Sequence, residues 1–431
     1  MNNFKLEKYK HVHFVGIGGV SMHSLAIYCK DMGMIVSGSD INNNKYVKQC
    51  KEHGIKTYIK HRKKNIDGAD LIVCTGAVAY SNIEVIEAEN RGIKVVDRAE
   101  LLAVICENFK CVIGVAGTHG KSTTCAMIYH ILSEAGEKVS CHIGADVEGA
   151  RLKPYDEYLV LECCEYNRSF LKFNCNIAVV LNIENDHLDC YGNMYNLRNA
   201  FITFLKHSNT KFVLDNVSTK CITNKNINHI KRAEIIKDNT FAIEGKKYVL
   251  NNVYGEHNID NATVAVNICK YLGLSYNKIY KALKTFQAVG RRCEILGKIG
   301  NCTIITDYAH HPTEIRASYT SLMTKYNNIC VVFQPHTYSR TKLLIHDFVK
   351  LFSEIENLFI FKEYSARENK TKGYSAKQLC EYLDNAIYVK NYRSLKKFIS
   401  NNQMCLNYDC IAFIGAGDIN EVGQKIMKSL K

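Results

Sequence analysis

The sequence at residues 111–123 reads CVIGVAGTHGKST, and this stretch decides the fold. Its first six residues are apolar or small and predict a buried strand. Gly117–Lys121 then interrupts the strand before a helix-like stretch that continues to about Ala135. A buried strand, a glycine-containing turn and a helix in this order form the first half of a βαβ unit. The stretch therefore predicts a parallel sheet whose strands are connected by helices.

The same alternation of short apolar runs and helix-length stretches occupies nearly the whole chain. It divides the chain into three α/β blocks, with boundaries near residues 110 and 288. The second block opens with the strand and helix described above, and a helix is also predicted at Ser21–Met32 in the first block. The predicted strands are His11–Val15, Ile35–Ser39, Leu71–Cys74, Cys111–Ala116, Tyr158–Leu161, Ile177–Leu181, Thr303–Thr306, Ile329–Phe333, Leu358–Phe361 and Cys410–Ile414.

Composition excludes several classes of protein. The 431 residues are 47% hydrophobic, which is too apolar for a disordered chain, and no apolar run approaches the roughly 18 residues needed to cross a bilayer. The first ten residues are polar, without the apolar segment of a signal peptide, so a cytoplasmic location is expected. In such a chain the 19 cysteines indicate reduced core thiols. The net charge of +14 suits anionic ligands.

The Gly-Lys-Ser-Thr run at the turn after Cys111–Ala116 indicates a phosphate-binding loop. Val115 stands where a strict P-loop has its first glycine, so the pattern is relaxed. The chemical groups are nevertheless present: backbone N–H groups can surround phosphates, Lys121 can reach the β and γ oxygens, and the Ser122 hydroxyl can bind Mg²⁺. This motif predicts a nucleoside triphosphate site on the second block.

Mg²⁺ needs further oxygen ligands, and these are expected after the neighbouring strands of the same sheet. Glu162 and Glu165 follow one predicted strand, and Asp186 and His187 follow another. The sequence alone leaves open which of them face the metal and the phosphates.

The first block carries a second glycine motif, Gly16-Ile17-Gly18-Gly19-Val20-Ser21, between a strand and a helix. Its glycines allow the backbone to approach a diphosphate, and Asp40 ends the next strand. Ser21 stands where a dinucleotide fingerprint has its third glycine. The motif predicts phosphate binding but leaves the nucleotide open, and an NAD(P)-dependent dehydrogenase is one alternative.

The third block carries polar runs after two predicted strands, Asp307–Pro312 and Gln334–Arg340. Paired histidines favour either a metal site or a rigid turn. Arg292 and Arg340 can bind phosphate or carboxylate groups through both guanidinium nitrogens, or can be solvated surface arginines.

With these motifs, the chain resembles the Mur ligase family of peptidoglycan precursor synthesis. The resemblance covers essentially the whole chain. The matching stretches are, in chain order, His13–Gly19, Ser37–Asp40, Gly117–Thr123, Asn182–Asp189, Gly255–Asn258, Asn261-Ala262, Gly290–Arg292, Asp307–Glu314, Phe333–Lys342, Ala366–Glu368 and Gly415–Ile419.

The resemblance implies an α/β protein of three domains. Residues 1–110 would form a Rossmann-like domain that binds a UDP-linked substrate, and residues 111–287 a central P-loop ATPase domain with a mostly parallel sheet. Residues 288–431 would form a Rossmann-like domain that closes on the active site. The Gly-Ile-Gly-Gly and Tyr-Ala-His-His-Pro-Thr-Glu runs indicate the branch that adds L-alanine to UDP-N-acetylmuramate.

The resemblance also implies cofactors and partners. ATP and Mg²⁺ (or Mn²⁺) would be needed, with UDP-N-acetylmuramate and L-alanine as the small-molecule substrates. No nucleic acid or membrane partner is expected, and the protein would be a monomer or a homodimer. Because family members often carry an acidic residue where Cys164 lies, the metal shell here would depend more on Glu162 or Glu165.

By motif position, the resemblance assigns site residues in four groups. Catalysis would depend on Lys121, Glu162, His187, His310 and Arg340. ATP would contact Gly117, Thr118, His119, Gly120, Lys121, Ser122, Thr123, Asn258, Asn261, Arg292 and Tyr308. The UDP-linked substrate would contact Gly16, Gly18, Gly19, Ser21, Asp40, His336 and Arg340. The metal ligands would be Ser122, Glu162 and His187.

Two alternatives accompany this interpretation. A related ligase of the same family attaches a whole murein peptide to UDP-N-acetylmuramate, and it would need a larger amine pocket. The NAD(P)-dependent dehydrogenase would require nicotinamide binding at the first glycine motif. A basic nucleic-acid-binding ATPase is not supported, because the sequence has no aromatic-basic platform.

Overall fold

The structure, a computed structural model, describes residues 4–76, 81–145, 147, 149–186, 188–215, 217, 227–237, 239–253, 255–287, 289–290, 292–366, 368, 374–401 and 407–430. The chain forms two compact units. The first comprises Met1–Ala233 and Asp260–Lys284, and the second comprises Glu234–Ile259 and Thr285–Lys431.

The first unit begins with a five-stranded parallel sheet in the order β3-β2-β1-β4-β5. Three of its helices start at side-chain caps: Asn44 and Asn82 accept backbone hydrogen bonds at the starts of α2 and α3, and Asp97 and Glu100 form a capping box on α4. The strands are β1 (His11–Val15), β2 (Ile35–Asp40), β3 (Lys56–Ile59), β4 (Leu71–Cys74) and β5 (Lys94–Asp97), and the helices are α1 (Val20–Asp31), α2 (Lys45–Glu52), α3 (Ile83–Asn90) and α4 (Arg98–Cys106).

The second sheet of this unit is parallel and six-stranded, in the order β11-β10-β9-β6-β8-β7. Strand β6 lies between β8 and β9, so the carboxyl ends of three adjacent strands surround the turn that follows it. The strands are β6 (Cys111–Ala116), β7 (Val139–His142), β8 (Tyr158–Glu162), β9 (Ile177–Val180), β10 (Thr210–Leu214) and β11 (Ile227–Ile230), and the helices are α5 (Lys121–Glu134), α6 (Leu188–Tyr191), α7 (Met194–Lys206), α8 (Glu256–Tyr271) and α9 (Tyr276–Thr285). Residues 256–259 of α8 and the last residue of α9 are counted with the second unit.

The two sheets of the first unit share one apolar core. Leu101 and Leu102 on α4 belong to the same buried cluster as Phe170, Phe201 and Phe204 of the second sheet's layer. The Phe170 ring stacks on Phe204 and meets Phe201 edge to face. Burying side chains of this size contributes roughly 1.5–3 kcal/mol each. The core thus joins the two sheets into one packed body.

The second unit contains a three-stranded antiparallel sheet and a six-stranded sheet in the order β15-β16-β20-β17-β18-β19, in which only the β15 pairing is antiparallel. Its strands are β12 (Glu234–Lys237), β13 (Thr240–Ile243), β14 (Lys246–Val249), β15 (Glu294–Ile299), β16 (Cys302–Asp307), β17 (Ile329–Phe333), β18 (Asn357–Phe361), β19 (Ala386–Val389) and β20 (Cys410–Ile414), and its helices are α10 (Pro312–Met323), α11 (Tyr338–Leu343), α12 (Ile345–Phe352), α13 (Ala376–Cys380), α14 (Tyr392–Asn401) and α15 (Ile419–Leu430).

The predicted α/β class with parallel sheets is confirmed. The apolar strands were predicted to within one residue at either end, and the helix predicted at Ser21–Met32 spans Val20–Asp31. The described cysteines are all free thiols, as expected. No helix in the described part of the chain is both long and apolar enough to span a bilayer. The sequence did not predict the short edge strands or the antiparallel sheet.

Candidate active site

The phosphate-binding loop lies at the carboxyl end of β6 and is fixed by the segment that follows β9. Asn182 accepts a hydrogen bond from the backbone N–H of His119 at 2.8 Å through its side chain, and from that of Thr118 at 3.2 Å through its backbone carbonyl. Gly120 has a φ of 81°, and a Cβ there would lie 2.4 Å from the Asn261 side-chain oxygen. Only glycine fits at this point, directly before α5.

Lys121 is the first residue of α5, and its side chain lies against the loop that precedes the helix. Its Nζ donates to the carbonyl oxygens of Gly117 at 2.5 Å and Thr118 at 3.0 Å. It also lies 3.0 Å from Oε2 of Glu165, whose side chain is only 3% exposed. Burial alone would lower the pKa of Lys121, but Glu165 and Glu162 outweigh burial and raise that pKa above its ordinary value. Lys121 therefore carries a positive charge at the loop at every physiological pH.

Glu162 ends strand β8 and turns towards the other side of the loop. Its Oε2 accepts hydrogen bonds from the Ser122 hydroxyl and from the Gly144 backbone N–H, both at 2.9 Å. A hydroxyl and a carboxylate oxygen are ligands that Mg²⁺ prefers. The pair therefore fits the predicted metal. The structure gives the two glutamates different partners: Glu162 contacts the serine and Glu165 contacts the lysine.

Cys164, between them, does not add a negative charge. Burial raises the pKa of this thiol to about 11, so it is neutral near pH 7. The expectation that the metal shell depends more on Glu162 or Glu165 stays a prediction.

Other predicted residues of the second sheet lie around the loop. His119 Nε2 is 3.4 Å from a carboxylate oxygen of Glu184, whose backbone N–H donates to the Thr118 hydroxyl at 2.8 Å. Asn261 accepts a hydrogen bond from the Thr124 hydroxyl at 3.2 Å. His187, predicted as a metal ligand, lies outside the described residues, so its role stays a prediction.

The first glycine motif forms a turn at the carboxyl end of β1. The N–H groups of Gly16 and Ile17 donate to the Ser39 carbonyl at 2.8 and 3.0 Å. Asp40 accepts from the Gly18 N–H at 2.9 Å. In this structure Asp40 thus braces the glycine turn itself. Gly19 caps α1 without a side-chain hydrogen bond, so the first N–H groups of this helix have no side-chain cap.

Ser21, in the first turn of α1, connects this motif with the second sheet. Its hydroxyl lies 2.8 Å from Nε2 of His142, at the end of β7, and accepts a hydrogen bond from Arg98 at 3.1 Å. Sequence analysis predicted Ser21 but missed His142 and Arg98. Neither residue lies in a recognisable motif: His142 is the last residue of β7, and Arg98 is the first residue of α4.

In the second unit, several predicted residues of the third block follow two neighbouring parts of the sheet: Tyr308 and His310 come after β16, and His336 and Arg340 come after β17. The Arg292 guanidinium lies 5.3 Å from the Tyr308 ring centroid, and Glu314 lies 3.3 Å from His310 Nδ1 and 3.7 Å from Arg292. The rings of His310 and His336 have centroids 5.9 Å apart, and Arg340 lies 3.1 Å from His336 Nδ1. Asn258 also belongs to this unit and lies 3.0 Å from His257 Nε2.

The parallel sheets and the glycine–lysine–serine loop define a P-loop nucleotide-binding enzyme. Three family models match the chain: "Mur ligase family, catalytic domain" at residues 11–110, "Mur ligase middle domain" at 115–269 and "Mur ligase, glutamate ligase domain" at 291–417. The chain belongs to the Mur ligase family, whose members are ATP-dependent ligases. This membership sets aside the dehydrogenase alternative for the first glycine motif.

Full-length relatives agree with this result. The chain is 36% identical to a UDP-N-acetylmuramate–L-alanine ligase of Acetivibrio thermocellus, over 98% of this chain and 96% of the relative. It is 35% identical to the ligase of that name from Clostridium botulinum, over 98% of both chains.

Solved structures of two related ligases superpose over nearly the whole chain. One is the UDP-N-acetylmuramate–alanine ligase of Thermotoga maritima, with a TM-score of 0.82, 25% identity, and coverage of 98% of this chain and 99% of that one. The other is a murein peptide ligase from Psychrobacter arcticus, with a TM-score of 0.71, 20% identity and 98% coverage of both chains. The predicted three-domain Mur ligase architecture is thus confirmed.

Proposed function

We propose that the protein is a UDP-N-acetylmuramate–L-alanine ligase, which uses ATP to join L-alanine to the lactyl carboxylate of UDP-N-acetylmuramate and forms ADP and phosphate. The observation that carries this proposal is the P-loop arrangement: Lys121, which is largely shielded from water, is paired with Glu165 on one side, and Ser122 is paired with Glu162 on the other. The full-length similarity to curated alanine ligases supports the choice of substrates.

The first step activates the carboxylate, which is a poor electrophile. A lactyl carboxylate oxygen attacks the γ-phosphorus of ATP, the bond to the β–γ bridging oxygen breaks, and ADP leaves with that electron pair. An acyl phosphate results. Lys121 stabilises the negative charge that gathers on the transferring phosphoryl group, because Glu165 holds its ammonium group at the loop.

The second step forms the amide. The neutral amine of L-alanine attacks the acyl carbon, and the tetrahedral intermediate expels phosphate as the carbon–oxygen bond breaks. The nitrogen loses one proton, which the departing phosphate can accept. Mg²⁺ or Mn²⁺, held by Ser122 and Glu162, would neutralise phosphate charge when bound.

The remaining assignments are part of the proposal. His187 would hold a second metal near the carboxylate, and His310 would act in catalysis. Arg340 would contact phosphate or the muramyl substrate, as would His336. The adenine and its phosphates would contact Asn258, Asn261, Arg292 and Tyr308.

We also keep the domain boundaries at residues 1–110, 111–287 and 288–431 as a proposal. A cytoplasmic location and a monomer or homodimer are part of the same proposal, which places the protein in peptidoglycan precursor synthesis.

The test is phosphate release by the purified protein with ATP, Mg²⁺ and UDP-N-acetylmuramate, supplied in turn with L-alanine, glycine, L-serine and an L-alanine-containing tripeptide. We expect L-alanine to give the fastest release, with mass spectrometry detecting the alanyl product. Faster ligation of the tripeptide would identify the murein peptide ligase instead. Phosphate release that does not depend on UDP-N-acetylmuramate would contradict both.

A further inference from the structure

The backbone carbonyl of Glu165 accepts hydrogen bonds from two different parts of the first unit. The Tyr191 hydroxyl donates to it at 2.5 Å, and the Arg168 backbone N–H donates to it at 2.9 Å. A carbonyl oxygen has two lone pairs, so these two donors use its capacity. Tyr191 is the last residue of α6 and is 2% exposed. The Glu165 backbone is therefore held both from its own segment and from a separate helix.

The segment after Glu165 makes a turn that needs support. Asn167 and Arg168 have φ of 52° and 55°, which places two successive residues in the left-handed region. Asparagine enters this region more readily than arginine, for which the conformation is unfavourable. Arg168 makes two contacts that offset this cost: its N–H reaches the Glu165 carbonyl, and its guanidinium lies 5.3 Å from the centroid of the Tyr191 ring. Tyr191 therefore supports the turn with its ring and holds Glu165 with its hydroxyl.

The Tyr191 hydroxyl is fixed in place and stays protonated. Burial, and after it the neighbouring Glu165 carboxylate, raise the pKa of Tyr191 above its ordinary value. The residue belongs to the apolar core that the two sheets share, and its backbone carbonyl accepts a hydrogen bond from the Asn196 side chain at 2.8 Å. Core packing thus fixes the ring, and the ring determines where the hydroxyl lies. Such a hydroxyl is suited to holding another group in place and is poorly suited to proton transfer.

Glu165 holds Lys121 from outside the phosphate-binding loop. The Lys121 ammonium group has three protons, and it contacts the carbonyls of Gly117 and Thr118 and the carboxylate of Glu165. The two carbonyls belong to the loop itself and move with it. We propose that Tyr191 is a positioning residue for Lys121 that acts through Glu165: its hydroxyl orients the Glu165 backbone, and the carboxylate of that residue places the ammonium group. This inference rests on the proposed function.

The segment that ends at Tyr191 also holds the backbone of the loop. It includes Asn182, which follows β9 and whose side chain accepts a hydrogen bond from the His119 N–H at 2.8 Å. One connection therefore fixes the loop through Asn182 and the counter-ion of Lys121 through Tyr191. Phosphoryl transfer depends on geometry that a shift of about 1 Å can spoil, with a rate loss of roughly 100-fold. Holding both from the same segment keeps the ammonium group in a constant position relative to the loop.

The test is steady-state phosphate release by full-length Tyr191→Phe, which keeps the buried ring and removes only the hydroxyl. We expect kcat to fall about 10- to 50-fold, while KM for ATP and the Mg²⁺ concentration for half-maximal activity change less than about twofold. The reason is that the position of the lysine matters most in the transition state.

A double variant and a control complete the experiment. Because Tyr191 acts through Glu165, adding Tyr191→Phe to Glu165→Gln should slow the reaction less than about twofold further. Tyr195→Phe is the matched control: this tyrosine of α7 is 71% exposed, and its variant should keep the kcat of the unchanged protein.

Three results would overturn the role of Tyr191. The first is an unchanged kcat in Tyr191→Phe. The second is losses that multiply in the double variant, which would show that the two residues act independently. The third is a higher KM for ATP at constant kcat, which would place the hydroxyl in nucleotide binding instead.

A second variant keeps the proposal testable if thermal melting shows that Tyr191→Phe does not fold. Arg168→Gln removes the guanidinium from the Tyr191 ring at an exposed position. It should lower kcat about two- to fivefold, and an unchanged kcat would then overturn the proposal.

The proposed function can fail separately. If the unchanged protein releases phosphate with glycine, L-serine or the tripeptide but not with L-alanine, the substrate assignment fails. The same comparison of kcat, made with that acceptor, then tests Tyr191. If none of these acceptors supports phosphate release, both fail.

Discussion

Nζ of Lys121 and Oε2 of Glu165 lie 3.0 Å apart, and both side chains are largely shielded from water. The Glu165 backbone carbonyl also accepts a hydrogen bond from the Tyr191 hydroxyl at 2.5 Å, which fixes the residue from its other end. A buried ion pair stabilises little by itself, but breaking it leaves an uncompensated charge. Its value here is that a flexible lysine is held in one place at the loop.

Removing the lysine should abolish the reaction. We expect Lys121→Ala to reduce phosphate release more than about 1000-fold, because the charge on the transferring phosphoryl group then has no fixed cation from the loop. UDP binding should persist, since the proposed UDP site lies on the first sheet. Steady-state phosphate assays and UDP titration measure the two effects. Lys206→Ala, at an exposed helix end, should behave as the unchanged protein, and substantial ligation by Lys121→Ala would contradict the assignment.

Substitutions of Glu162 and Glu165 should differ in how they change the dependence of activity on Mg²⁺. Glu162→Gln removes the carboxylate that would bind the metal together with the Ser122 hydroxyl. We therefore expect the Mg²⁺ concentration for half-maximal activity to rise about tenfold or more. Glu165→Gln loosens Lys121, so it should lower kcat and leave that concentration nearly unchanged. Activity titrated with Mg²⁺ distinguishes them. Equal metal dependence in the two variants would mean that both carboxylates bind the metal.

Substitution of Gly120 and of Gly136 by alanine would distinguish a steric clash at the new Cβ from strain in the backbone. Both have left-handed φ, 81° and 85°, but a Cβ at Gly120 would meet Asn261 at 2.4 Å, whereas a Cβ at Gly136 meets nothing within 4 Å. We expect Gly120→Ala to lose ATP binding, because the loop must move. Gly136→Ala should cost about 1 kcal/mol of stability through strain alone and keep ATP binding. Nucleotide titration and thermal melting check both outcomes, and normal ATP affinity in Gly120→Ala would show that the loop tolerates the shift.

The neutral His142 should make the fold sensitive to acid. Its pKa is about 3 in the folded protein, against an unfolded value near 6.5, so between these values the unfolded chain binds more protons. Stability therefore falls as the pH falls through this window, by up to about 1.4 kcal/mol per pH unit from this group. His142→Gln cannot titrate and should flatten the pH dependence of the melting temperature between pH 4.5 and 6.5. His207→Gln, at an exposed site, should leave the slope unchanged. An unaltered slope in His142→Gln would show that the ring is already charged in the fold.

Sequence predicted the strands whose side chains are apolar throughout. Cys111–Ala116 and Ile329–Phe333 are central strands buried on both faces, and such strands have an uninterrupted apolar signal. Val139–His142 was missed because Ser140 and His142 interrupt the apolar run. The structure buries both polar side chains, and Ser140 donates to Asp156 at 2.8 Å. Burial of polar side chains in a strand leaves no local pattern from which the strand can be predicted.

In the candidate site, too, some residues could be predicted from the sequence and others could not. The positions of Lys121 and Ser122 follow from a local motif, since a strand, a turn and a helix place them together. Arg98 and His142 come together only because two sheets pack on one core, and this packing involves residues that are far apart in sequence. Their pairing through Ser21 could not be predicted from spacing.

The common core of the first unit also limits how the chain can be dissected. Helix α4 contacts the 3-10 helix Tyr166–Lys172 and buries Leu101 and Leu102 completely, or nearly so, in the shared cluster. A fragment that stops near residue 110 would expose this leucine surface to water, and exposed patches of that kind promote association. A version of the chain that is cut there would therefore need the layer of the second sheet, which covers these leucines, to stay in solution.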